Sequence, residues 1–127
     1  MLRILEAQME QLGQRSARQF VARMAGYLRE AFPAETEPFT VEALAAWVER
    51  NVERAAGFGV DTEPEVAQLL LLSLHFGEDA SERLAWFRAP LLRAELIGAG
   101  KVRALVRAAR DASDPGIERF VTETFAT

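Results

Sequence analysis

The sequence predicts an all-α fold, a single helical domain spanning residues 1–127, with five to seven helices packed around a central apolar helix at about 63–76. Three observations predict it. No stretch alternates apolar and polar residues at period two over the length of a strand. Apolar residues recur instead at three- and four-residue intervals along most of the chain. Glycine and proline interrupt this pattern at Phe32-Pro33, Gly57-Phe58-Gly59, Gly77, Pro90, Gly98, Gly100 and Asp114-Pro115-Gly116, which divides it into helix-length pieces. A chain of 127 residues fits one domain with a real core.

The first piece predicts a helix from about Leu5 to Phe32. Met9, Leu12, Ser16, Phe20, Met24 and Leu28 form its apolar stripe, widened by Ala17, Val21 and Ala31, and Arg15, Arg18, Ala22 and Arg29 lie opposite. Arg23 falls at the edge of the apolar arc. Two readings are open for it: a stem that snorkels along the core edge to water, or an ion pair with a carboxylate of a neighbouring helix. The second helix starts at Thr40 as N-cap and turns Val41, Leu44, Trp47, Val48, Val52, Ala55 and Phe58 to one side. Asn51 projects to the middle of that face. Such an amide either finds a backbone partner on another helix, specifies a packing register, or marks a point where the face is not covered.

Thr62-Glu63-Pro64-Glu65 opens the third helix, with Thr62 and Glu65 as a capping box and Pro64 in the first turn. Val66, Leu69, Leu70, Leu71, Leu72, Leu74 and Phe76 make this helix apolar all round, which predicts burial on every side, and Gly77 ends it. A short helix is expected at about Ser81–Arg88, another opening at Pro90 and running to about Ile97, and a break or a bend at Gly98-Ala99-Gly100. A further helix at about Lys101–Ala112 buries Val102, Leu105, Val106 and Ala109, and a last one is capped by Asp114 and docked by Ile117, Phe120, Val121 and Phe125.

Composition narrows the chemistry. There is no cysteine and one histidine, so disulfides, thiolate ligands, cysteine nucleophiles and an N/S zinc set are all excluded. No calcium-binding EF-hand loop is present. No metal or other cofactor is expected. Glu78, Asp79 and Glu82 form the one carboxylate cluster that merits a test for catalysis, and an acidic turn beside a helix start is ordinary. His75 reads as a helix-end histidine, bonded to a carbonyl or partly exposed. Gly98-Ala99-Gly100-Lys101 fails as a phosphate loop: Glu95 stands where the first glycine belongs and Val102 where Ser or Thr belongs. The expectation is a protein that is not an enzyme.

The net charge is −4, and the halves are alike, with 7 basic and 10 acidic residues in 1–64 and 8 and 9 in 65–127. That balance argues against a general nucleic-acid role, which needs a basic surface. The leucine-rich run Leu69 to Leu74, interrupted by Ser73, falls far short of the ~20 residues of a membrane span. The N-terminus lacks a secretion signal, so a cytoplasmic location away from membranes is expected. Fourteen of the 15 basic residues are Arg, from genome composition or from enrichment at interfaces.

Two stretches suggest a partner surface. Leu84 to Leu92 packs Trp86, Phe87, Arg88, Leu91 and Leu92 around Pro90. Trp86 and Phe87 point about 100° apart, so one belongs to the core and the other is left as an anchor of the kind that dominates interface hot spots. Arg103, Arg107 and Arg110 share a helix face, either as a solvated stripe or as a contact for an acidic partner or a phosphate backbone.

Phe20-Val21-Ala22-Arg23-Met24, with Leu28-Arg29-Glu30-Ala31-Phe32-Pro33, resembles the opening of small helical proteins encoded beside bacterial type VI secretion spike and toxin genes. Arg54-Ala55-Ala56-Gly57-Phe58-Gly59-Val60, with Glu63 and Val66, resembles the middle of that family. Phe76-Gly77-Glu78-Asp79 and Trp86-Phe87 resemble its third block. The similarity spans roughly residues 5–95 and rests on helix faces and a turn; Asn51 stands where the pattern has glycine. The resemblance implies an accessory, adaptor or immunity protein for a secreted effector or toxin, and it brings no catalytic residues with it. The expected partner is therefore a protein effector or toxin. The alternative is a self-associating structural subunit, a homo-oligomer.

Overall fold

A computed structural model describes residues 14–112. Among them are seven helices and no strand: α1 (Gln14–Ala31), α2 (Pro33–Thr36), α3 (Val41–Gly57), α4 (Glu63–Phe76), α5 (Ala80–Arg83), α6 (Ala85–Leu91) and α7 (Gly98–Asp111). The expected start of the first helix at Leu5 and the helix beyond Asp114 lie outside the described residues.

Burial of one shared apolar surface organises the bundle. α1 packs on α3, α3 on α4, α4 on α7, and α6 lies between α5 and α7. Phe20, Met24, Leu28 and Phe32 recur every four residues down one side of α1 and are all buried. On α4, six consecutive or near-consecutive residues, Val66 and Leu69 through Ser73, are buried, as a helix enclosed on several sides requires. Val102, Leu105, Val106 and Ala109 complete the core from α7.

Local chemistry sets the helix ends. The Thr40 hydroxyl accepts from the Ala43 N–H at 3.0 Å and caps α3. The Thr62–Glu65 capping box does not form. Pro64 removes the N–H at the second position, half of what a capping hydroxyl can reach, and the Thr62 hydroxyl is buried with no hydrogen bond among the described residues. Gly77 ends α4, its N–H donating to the Ser73 carbonyl at 2.8 Å.

The region after Gly77 differs from the sequence reading. The expected Ser81–Arg88 helix is two helices, because Leu84 is extended (φ −115°, ψ 112°) and serves both sides of the break. Its N–H closes α5 on the Ala80 carbonyl, and its carbonyl accepts from Phe87 and Arg88 to start α6. Pro90 lies inside the last turn of α6 and does not open a new helix. A proline disturbs only the backbone behind it, so a helix that stops at Leu91 loses one hydrogen bond and no more. Residues 92–97 form a connection, not a helix.

Gly98-Ala99-Gly100 is the first turn of α7, not a break. A Cβ on Gly98 would stand 2.8 Å from the Gly59 carbonyl oxygen and 3.3 Å from the Val60 Cα, so glycine lets α7 meet the α3–α4 turn backbone to backbone. Gly59 holds that turn with a positive φ of 81°. Lys101 adds the lock: its Nζ donates to the Phe58 carbonyl at 2.7 Å, at the negative end of α3. Gly98→Ala gains up to about 1 kcal/mol of helix propensity and must displace backbone to fit. A net loss of about 1–2 kcal/mol is expected, read as a lower midpoint in urea with unchanged slope.

Two further expectations are corrected. Val41 is 73% exposed and takes no part in the α3 core face, because it lies in the first turn, before α3 reaches the body of the bundle. Arg29 is not a solvated residue: its guanidinium donates to the Thr36 carbonyl at 2.7 Å and the Phe39 carbonyl at 2.8 Å and fastens the α2 turn to α1.

Candidate functional site

Three groups of side chains were singled out by sequence or by structure, and they prove to do different things.

In the aromatic stretch at 84–92, Phe87, Pro90 and Leu91 belong to the core. Phe87 is 2% exposed and Leu91 1%, so neither is available for contact on this surface. Trp86 is half-buried. Its ring meets Phe76 edge-on at 5.0 Å, and Phe76 in turn meets Phe87 at 6.1 Å and His75 at 4.6 Å. These T-shaped contacts satisfy the ring quadrupoles and seal the end of α4 against α6. Ala85, Arg88, Ala89 and Leu92 reach solvent, Leu92 at 60% exposure. Ile97, which the sequence reading passed over, is 77% exposed at the N-cap of α7. A single aliphatic residue in a connection carries no periodic signal, so pattern alone does not reveal it.

The second group is a polar clamp between α3 and the turn after α4. Arg50 donates to both Glu78 carboxylate oxygens, Nε at 2.7 Å and Nη2 at 2.9 Å. Arg54 donates to the Glu78 backbone carbonyl and to the Asn51 side-chain oxygen, and its Nη2 lies 3.7 Å from the Glu78 carboxylate. Asn51 is buried and donates to the Trp47 carbonyl at 2.8 Å, so its amide is satisfied within its own helix and by Arg54, not by another helix's backbone. Asp79 pairs with Arg83 at 3.3 Å, and Arg83 also donates to the Phe76 carbonyl. Glu78 and Asp79 of the Glu78-Asp79-Glu82 cluster are thus each held by arginines, and no group of three metal-ligating side chains stands together among the described residues. The remaining open question on α1 resolves in the same way: Arg23 pairs with Glu63 of α4 at 3.3 Å, exposed, with its guanidinium 5.6 Å from the Phe20 ring.

The hydrogen bond from Arg50, with the charges of Arg50 and Arg54, holds the Glu78 carboxyl below the usual carboxylate range, although partial burial opposes this. A carboxyl depressed on folding contributes stability that is present above its unfolded value of about 4.3 and is lost as pH falls through the folded value. Stability is therefore expected to fall below about pH 4.5. Glu78→Gln should be less stable at pH 7 and show a shallower acid limb, measured by urea midpoints from pH 3 to 7.

The third group lies in a groove of about 440 Å³ between α4 and α7. Arg103, Arg107 and Arg110 line one wall, Glu65 and Gln68 the other, with Ala99 and the nearly buried Val106 below and Asp111 at the end. The sequence reading placed the three arginines on one face, and the structure places them beside one cavity. None of the three makes an ion pair or hydrogen bond with another described residue, whereas Arg23, Arg50, Arg54, Arg83 and Arg93 are all paired. Lys101, one turn away, is committed to Phe58.

No helix among the described residues is long and apolar enough to cross a membrane. In comparisons with known proteins, no protein-family model, no curated protein and no solved structure matches the chain.

Proposed function

We propose that this chain is a non-catalytic binding protein for another protein, and that it docks through the α6–α7 connection and α7. One observation carries the reading. Leu92 and Ile97, 60% and 77% exposed, stand within six residues of each other on the segment that leads into α7. An exposed apolar patch is a common mark of a contact surface, and these two aliphatic residues supply its apolar area on one short connection. The carboxylates Glu78 and Asp79, by contrast, are held by arginines, which favours a structural use for them. The partner class is a secreted effector or toxin, held for delivery or neutralised in the producing cell; the sequence resemblance to proteins encoded beside type VI secretion genes supports it.

The test is affinity capture by the tagged chain from its own cell lysate, beside a Leu92→Ser/Ile97→Ser variant. Both residues are exposed, so the variant should fold. One dominant protein, lost in the variant, is the expected result. Assaying that protein's activity with and without the chain separates neutralisation from delivery. Recovery of the chain alone, with a dimer by light scattering that the variant abolishes, would replace this reading with self-association through the same edge.

A further inference from the structure

Resting on the protein-binding reading, we infer that the α4–α7 groove seats an acidic helix of the partner protein, with its carboxylates on Arg103, Arg107 and Arg110.

The charge is placed for it. The three guanidinium groups stand on one face of α7 at intervals of four and three residues, and none is committed to a carboxylate among the described residues. At 1.5 Å per residue the row is about 10 Å long. A second helix with carboxylates at i, i+4 and i+7 has the same rise, so each acid meets one arginine without stretching either backbone. Guanidinium–carboxylate pairs of this kind are bidentate and fix orientation as well as charge. The base of the groove suits the same occupant. Ala99 and Val106 offer a small apolar floor that takes an aliphatic residue lying between the acids.

The far wall disfavours a uniform polyanion. Glu65 faces the groove from α4, and the whole chain carries a net charge of −4. A phosphate backbone would gain three arginines and meet Glu65 and Asp111 at the same time. A helix acidic on one side and polar or basic on the other satisfies both walls, with Gln68 free to donate or accept. Nucleic acid is therefore the disfavoured occupant, and it becomes an outcome of the test.

The test is a titration of the ¹⁵N-labelled full chain with a helical peptide carrying Glu at i, i+4 and i+7 and Leu at i+3. A control peptide has the same composition with its acids dispersed around the helix. Saturable shifts confined to α7 and the Glu65–Gln68 turn of α4 are expected, with the dispersed control and an Arg103→Glu/Arg107→Glu/Arg110→Glu variant each at least about tenfold weaker. A peptide with Lys at the three positions should recover binding to that variant. Equal binding of both peptides, or shifts elsewhere, would overturn the proposal. Tighter binding of a 20-nucleotide single strand to the same residues, falling steeply with salt, would assign the groove to nucleic acid. Stronger peptide binding by Asp114→Lys/Glu118→Lys/Glu123→Lys would assign it to the chain's own acidic C-terminal residues. The two readings fail separately. If the triple arginine variant still captures the partner that Leu92→Ser/Ile97→Ser loses, the binding role stands and the groove is not its seat.

Discussion

Phe87→Ala is expected to cost about 3–5 kcal/mol, the range for emptying a large aromatic site in a packed core. Phe87 is 2% exposed and stands where α6 meets α4, with Phe76 and Trp86 as its aromatic neighbours at 6.1 and 5.8 Å. In this helix of seven residues Phe87 is the one aromatic core anchor, beside Pro90 and Leu91. Small domains have only about 5–15 kcal/mol in total, so the loss of this ring removes a large fraction of the stability. Thermal unfolding should move down by about 10–20 °C. Trp86→Ala should cost clearly less, because the indole is half-buried and loses less covered area. The pair of melts checks the assignment of core and edge. Equal losses would mean that Trp86 is as deeply packed as Phe87.

Arg54→Ala is the second large effect, at about 3 kcal/mol, and its cause is electrostatic. One guanidinium serves the Asn51 side-chain oxygen, the Glu78 carbonyl and, at 3.7 Å, the Glu78 carboxylate. Hydrogen bonds to charged groups contribute about 1.5–3 kcal/mol each in net terms, and a polar atom left buried without a partner costs about 1–3. Asn51 is 3% exposed, so water does not easily replace the lost donor. Arg54→Lys should recover only part of the loss, since one ammonium cannot span all three acceptors. A double-mutant cycle between Arg54→Ala and Asn51→Ala, by urea unfolding, should show coupling of about 1 kcal/mol or more. Additive losses would separate the two residues energetically.

The contrast between these two positions shows what a sequence makes legible. Phe87 could be read as one of two aromatics competing for the core, because helical spacing fixes directions. The buried faces of α1, α4 and α7 follow from the same rule, and Val102, Leu105, Val106 and Ala109 are buried as their spacing predicts. Arg54 was not legible as a clamp, because its partner lies 24 residues away and spacing says nothing about which helix ends meet. The errors at Pro90 and Gly98 have another source. Both residue types commonly break helices, yet proline is harmless in a final turn and glycine is required where two backbones touch. The groove was half legible. The arginine row could be read from its period, whereas Glu65 and Gln68 on the opposite wall depend on how α4 and α7 pack.

The bond from Lys101 to Phe58 spans 43 residues of chain. Closing so long a loop costs on the order of 3 kcal/mol of chain entropy before any contact returns it. The helices between Leu28 and Phe76 can assemble from near neighbours, but α7 reaches the α3–α4 turn only after α4, α5 and α6 have brought it round. Its docking is therefore expected late in folding and, by reversal, its release early in opening. The amides of α7 should exchange with solvent through partial detachment, at a lower free energy than those of α4. If exchange follows that order, a partner that grips α7 does more than bind: it holds shut the part of the molecule expected to open first.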